Sequence, residues 1–132
     1  MAVDPLPIVR WLHLMAAATW TGGLVTLAAL VVVLRRAGAE RALLQAAARG
    51  FAAVSWTAMA IAIPTGLLQV SLMGLPWSYG RLHLKLAMVV LTVLLAGGHQ
   101  LTARRSSPRA RGMIQAAILL ASLGVFAAAV AL

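Results

Sequence analysis

Four long apolar stretches, set apart by short segments rich in arginine or in glycine and proline, take up almost all of this 132-residue chain. A bilayer core about 30 Å thick is crossed by about 20 apolar residues in a helix. The stretches at about 8–34, 51–73, 82–102 and 112–132 are each long enough to do so. Inside a membrane the backbone finds no water to bond, so a helix that satisfies its own amides is the form such a stretch adopts. The expected fold is therefore all-α: an up-and-down bundle of four transmembrane helices, one membrane domain spanning residues 1–132. No length remains for a separate catalytic domain.

Composition agrees, with 63% hydrophobic and only 10% charged residues, where soluble domains carry about 45–50% apolar residues. The formal net charge of +9 rests on eleven cations, ten of them arginine, against two acids, Asp4 and Glu40. Taken alone, such a balance would suit nucleic acid. Here the cations cluster between apolar stretches, which is the pattern of membrane topology signals facing anionic headgroups. The expected partner is the lipid bilayer, with no nucleic acid. The absence of cysteine excludes disulfides, thiolate metal sites and cysteine nucleophiles.

The first stretch follows Asp4-Pro5-Leu6-Pro7 and ends at Arg35-Arg36; it is too long for the apolar region of a signal peptide and is read as a retained span. The second stops at Gly74-Leu75-Pro76 and contains Pro64, which membrane helices tolerate where neighbours satisfy the freed carbonyl. Between these two, residues 39–49 (AERALLQAAAR) are good helix formers, so one of the two helices is expected to run on into water. The third stretch ends before Arg104, Arg105, Arg109 and Arg111.

Orientation follows from the cations. The 1–2 connection carries Arg35, Arg36, Arg41 and Arg49, and the 3–4 connection carries four more, whereas the opposite side has only Arg10, Arg81 and Lys85. The two arginine-rich connections are expected in the cytoplasm, with both termini outside, in a bacterial inner membrane. Trp11, Trp77 and Tyr79 then belong to an outer aromatic belt and Trp56 to the inner one.

Ionisable groups inside spans are costly, so each is a candidate for function. His13 and His83 lie just inside the starts of spans one and three, which run in the same direction, and so share the outer leaflet. His99 comes sixteen residues after His83, about 24 Å along the axis and about 160° around it. It belongs elsewhere. In a square up-and-down arrangement with neighbours at 8–10 Å, spans one and three face each other across a diagonal of about 13 Å. That gap suits two imidazoles reaching a flat macrocycle from opposite sides. Ala16, Ala17 and Trp20 follow His13, and Leu86, Ala87 and Val90 follow His83, on the same helix faces. Arg10 and Arg81 stand outward of the two histidines, where either suits a haem propionate.

Other readings stand beside this one. A histidine near a helix end can simply bond a carbonyl or water at the interface, and Lys85 can reach outward in the same way. Thioether and imidazole together suit Cu(I), and Met15, Met73 and Met88 are the methionines to consider, though none forms a clustered motif. Trp20 lies deeper than a belt tryptophan and is either a pocket wall or packing. Gly22-Gly23, Gly66, Gly97-Gly98 and Gly124 read as points of close helix approach.

The segment WLHLMAAATWTGGL resembles the opening helix of the copper resistance protein D (CopD) family, with its histidine followed by a Trp-x-Gly-Gly step. RGFAAVSWTAMAIAIPTGLL is similar to that family's second helix, and SYGRLHLKLAMVVL to its Tyr-Gly-Arg-x-x-x-Lys-Leu signature. The resemblance covers about residues 8–103. LHLKLAMVVLTVLLAGGH also resembles the third-helix pattern of the HemJ-type protoporphyrinogen oxidases, a family associated with haem b. On matching positions the resemblance implies His13 and His83 as ligands and Lys85 as a functional cation; His99 fits only the second family. The chain departs from an oxidase in having no acidic residue near these positions to relay protons.

The expected function is binding of a redox-active centre, haem b on His13 and His83 with Arg10, Arg81, Trp20 and Lys85 around it. Its role is electron transfer or support of a larger membrane complex, as a homo-oligomer or a subunit. Copper handling by the same histidines is the alternative, and a cofactor-free subunit of a respiratory or photosynthetic complex the third reading.

Overall fold

The computed structural model of the chain describes residues 2–131. It holds four helices, α1 (Leu6–Arg36), α2 (Arg41–Leu72), α3 (Gly80–Thr102) and α4 (Pro108–Ala131). Each is long and apolar enough to cross a membrane. The chain divides into two helical hairpins, Met1–Leu75 and Pro76–Leu132, with α1 packed on α2 in one and α3 on α4 in the other. Large apolar side chains such as Leu14, Val33, Leu94, Leu120 and Val130 point outward. A soluble protein does not present so much apolar surface, so lipid is the solvent these faces fit, and the chain is a membrane protein.

The first hairpin is the longer. With 31 and 32 residues, α1 and α2 extend about 46–48 Å at 1.5 Å per residue, beyond the roughly 30 Å of a hydrocarbon core. The excess is at the arginine-rich end: α2 begins at Arg41, ten residues before the apolar stretch expected from residue 51, because residues 41–49 are helix formers that need no lipid. Asp4 Oδ1 accepts from the Leu6 N–H at 3.0 Å at the start of α1.

Both helices end on a glycine of positive φ, Gly38 at 78° and Gly74 at 64°. After α1 the Ala39 N–H bonds the Leu34 carbonyl and the Gly38 N–H that of Arg35; after α2, Leu75 bonds Val70 and Gly74 bonds Ser71 in the same way. This six-to-one and five-to-two pattern satisfies carbonyls that the helix leaves open, and it requires a left-handed residue.

The seam of the first hairpin follows from spacing. Val9, His13, Ala16, Trp20 and Gly23 recur at intervals of four and three along α1, and are buried or half-buried. Such a repeat keeps one face against a partner helix. On α2 the facing residues include Ala58, Met59, Ala62, Gly66 and Val70. Gly23 meets the Phe51 ring, Trp20 meets Trp56 and His13 meets Ala62, which sets an antiparallel register.

In the second hairpin Leu82 and Thr92 of α3 and Ile118, Ala121, Ser122 and Ala128 of α4 are buried. The two buried hydroxyls donate to their own helix, Thr92 to the Met88 carbonyl and Ser122 to that of Ile118, each at 2.8 Å. Such a bond to the preceding turn lets a helix carry a hydroxyl into its buried face. Helix α4 starts at Pro108, four residues before the expected apolar span: Ser107 caps it by accepting the Ala110 N–H, and proline is at home in a first helical position.

Candidate functional site

His13 is held by α2. Its Nδ1 lies 2.8 Å from the Ala62 carbonyl oxygen and 3.3 Å from Thr65 Oγ1. A carbonyl only accepts, so Nδ1 carries the proton, and in the neutral ring the lone pair is on Nε2. Thr65 in turn donates to the Ile61 carbonyl at 2.6 Å, which leaves its oxygen lone pairs to face the imidazole. This segment of α2 is unusual in the sequence as well. Pro64 has no N–H to give the Ala60 carbonyl, and Gly66 has no side chain where the ring edge sits: a Cβ there would stand 2.9 Å from His13 Cε1. Thus Ala62, Thr65 and Gly66 form the seat of one histidine.

This arrangement fits an imidazole that would ligate a metal. A ligating imidazole whose other N–H is fixed to a carbonyl has a defined tautomer and orientation. Of the groups expected around His13, Trp20 is buried on the same face of α1, its ring edge-on to Trp56 at 6.4 Å and 68°. Trp56, expected in the inner aromatic belt, thus spends its ring on the helix seam. Arg10 is exposed. An open apolar groove also runs between α1 and α2, lined by Trp11, Met15 and Thr19 against Ala53, Thr57 and Ile61; His13 does not line it.

His83 belongs to the second hairpin and is placed differently. Leu82 points into the α3–α4 seam, and the next residue is carried out to the exposed side. Its Nε2–H donates to the Trp77 carbonyl, tying the start of α3 to the turn before it. The lone pair is then on Nδ1, the nitrogen crowded by the ring's own attachment to the chain. Ligation through Nε2 requires His83 to release Trp77. Arg81 is exposed and Lys85 partly buried on α3.

His99 is partly buried near the end of α3, and the Gln115 amide Nε2 on α4 donates to its Nε2 at 3.0 Å. Of the methionines, Met88 lies with its methyl against Gly124 and serves the α3–α4 contact. Met15 and Met73 are exposed, and Met15 stands two residues from His13, about 200° around the helix. Among the described residues no three histidines, cysteines or carboxylates gather as a metal site.

Three positions that sequence reasoning did not assign to the site are Ala62, Thr65 and Gly66. Thr65-Gly66 lies within the segment that resembles the second helix of the CopD family, and Gly66 reads from the sequence as a point of close helix approach; only the register of α1 on α2 brings His13 to them. Comparison with protein-family models, curated proteins and solved structures finds no match.

Proposed function

We propose that this membrane protein carries a redox-active centre, haem b, which His13 would hold, with His83 the second ligand expected from the sequence, in the manner of the CopD and HemJ-type families. The observation that supports it is the fixing of His13 Nδ1–H on the Ala62 carbonyl, which makes Nε2 the nitrogen with the lone pair. A bound haem supplies one-electron redox chemistry. The residues of the chain hold and tune it: Ala62 and Thr65 orient the ligand, Gly66 admits its ring, and the Trp20–Trp56 pair stiffens the same face of α1. His83 enters on grounds of depth in the sequence and changes partner from Trp77 to do so. Arg10 and Arg81 pair with carboxylates at the membrane surface, and Lys85 is the cation inside it.

The two arginine-rich connections face the cytoplasm, and the opposite ends of the spans face outward, in a bacterial inner membrane. With no acid after Glu40, the chain has no carboxylate relay for an oxidase along α2, α3 and α4. This favours electron transfer or support of a larger membrane complex, as a homo-oligomer or a subunit.

The test is the absorption spectrum of the full chain purified in detergent. A Soret band with sharp α and β bands on reduction is expected, lost or strongly weakened in His13→Ala and in His83→Ala and kept in His99→Ala. Copper without haem in a metal analysis would favour copper handling. Neither cofactor in the folded protein would leave the cofactor-free subunit as the reading.

A further inference from the structure

The end of the second hairpin where α3 closes and α4 opens carries the densest positive charge in the chain. Arg104, Arg105, Arg109 and Arg111 fall within eight consecutive residues, and no Asp or Glu follows Glu40. Their counter-charge therefore comes from outside the side chains of these helices. Arg104, Arg105 and Arg109 are exposed, but Arg111 is partly buried.

Arg111 and Gln115 stand one turn apart on α4 and share a face. From that face the Gln115 amide reaches His99 and donates to its Nε2. A ring nitrogen that accepts carries no proton, so the neutral imidazole has its proton on Nδ1. That Nδ1–H is buried and has no acceptor among the described residues, and the same holds for Nε–H of Arg111. Arg111 thus stands one turn along α4 from the residue that bonds the imidazole. Buried N–H groups are almost always bonded. Two left open at one cationic end, with no Asp or Glu in the hairpin to serve them, call for acceptor oxygens brought by an anion.

Depth and surroundings identify its source. His99 lies three residues before the end of α3, about 4.5 Å along the axis, and Arg111 is in the first turn of α4. In membrane-spanning helices this is the level of the headgroups. Leu101 and Met113, close in sequence to the two donors, are 85% and 66% exposed and offer apolar surface that suits an acyl chain and not a free ion. We propose that this end of the α3–α4 hairpin binds the phosphate of an anionic phospholipid, with His99 Nδ1–H and the Arg111 guanidinium as its donors. The site is separate from the haem reading and stands or falls without it.

The test uses the full chain, delipidated in detergent and titrated with dioleoylphosphatidylglycerol, dioleoylphosphatidylcholine or inorganic phosphate, with bound species counted by native mass spectrometry. One phosphatidylglycerol per chain is expected to be retained. Arg111→Gln should reduce retention about fivefold, as one interfacial cation is worth about that factor, and His99→Phe should reduce it comparably. Arg104→Gln, which removes the same charge from the exposed connection, should change it little. Equal losses from Arg104→Gln and Arg111→Gln, phosphatidylcholine held as firmly as phosphatidylglycerol, or saturation by inorganic phosphate would each overturn the proposal. Should Arg111→Gln fail to fold, Arg111→Lys keeps the charge and removes Nε–H; a loss of about twofold is expected there, and unchanged retention overturns the proposal.

Discussion

The imidazole of His13 occupies the space that a side chain at position 66 would need: a Cβ on Gly66 would meet His13 Cε1 at 2.9 Å and Nδ1 at 3.3 Å. The ring cannot retreat without losing its 2.8 Å bond to the Ala62 carbonyl. Gly66→Ala should therefore destabilise the α1–α2 hairpin by about 1–3 kcal/mol, the usual cost of overpacking. Gly124 offers the control. Its added methyl would meet only the flexible end of Met88, and alanine is favoured over glycine inside a helix by about 0.5–1 kcal/mol, so Gly124→Ala should be close to neutral. Reversible unfolding in bicelles measures both, and equal effects would contradict the assignment of Gly66 as the seat of His13.

Trp20 and Trp56 meet edge to face with centroids 6.4 Å apart. A double-mutant cycle to leucine should return a coupling of about 0.5–1.5 kcal/mol, the worth of such a pair beyond its area. Additive single effects would mean that the two rings pack independently.

Gly38 and Gly74 both hold a left-handed backbone at the end of a helix. Alanine at either should cost about 1–2 kcal/mol, since its Cβ crowds the carbonyl in that conformation. Gly112, in the interior of α4 with open space at its Cβ position, should tolerate alanine without loss. The same unfolding assay separates the two outcomes.

Eight arginines lie in or beside the 1–2 and 3–4 connections, and orientation follows such bias. A reporter active only outside the cytoplasm should work when fused after α4 and fail when inserted at Gly38. The reverse pattern would turn the chain over and move His13 to the inner leaflet.

Much of this was open to reading in the linear chain. The four spans and the arginine connections follow from the order of apolar and charged residues, because a run of about 20 apolar residues has few options other than a membrane helix. The helix ends are less legible there. Apolarity reports where lipid begins, whereas a helix ends where its amides are capped, and so α2 starts at Arg41 and α4 at Pro108, well outside the apolar stretches.

By itself, then, the sequence determined that this is a chain of four membrane-spanning helices and that His13, His83, His99 and Lys85 are the groups to explain. Only the tertiary structure decided what each histidine does with its two nitrogens. His13 donates its N–H to the Ala62 carbonyl, His83 donates to that of Trp77, and His99 accepts from Gln115 and is left with a buried N–H. Two of these three partners come from another helix and the third from the turn before α3. A helical repeat specifies which face a residue occupies, but not the register of the neighbouring helix, and a bond is made or lost within a few tenths of an ångström of that register.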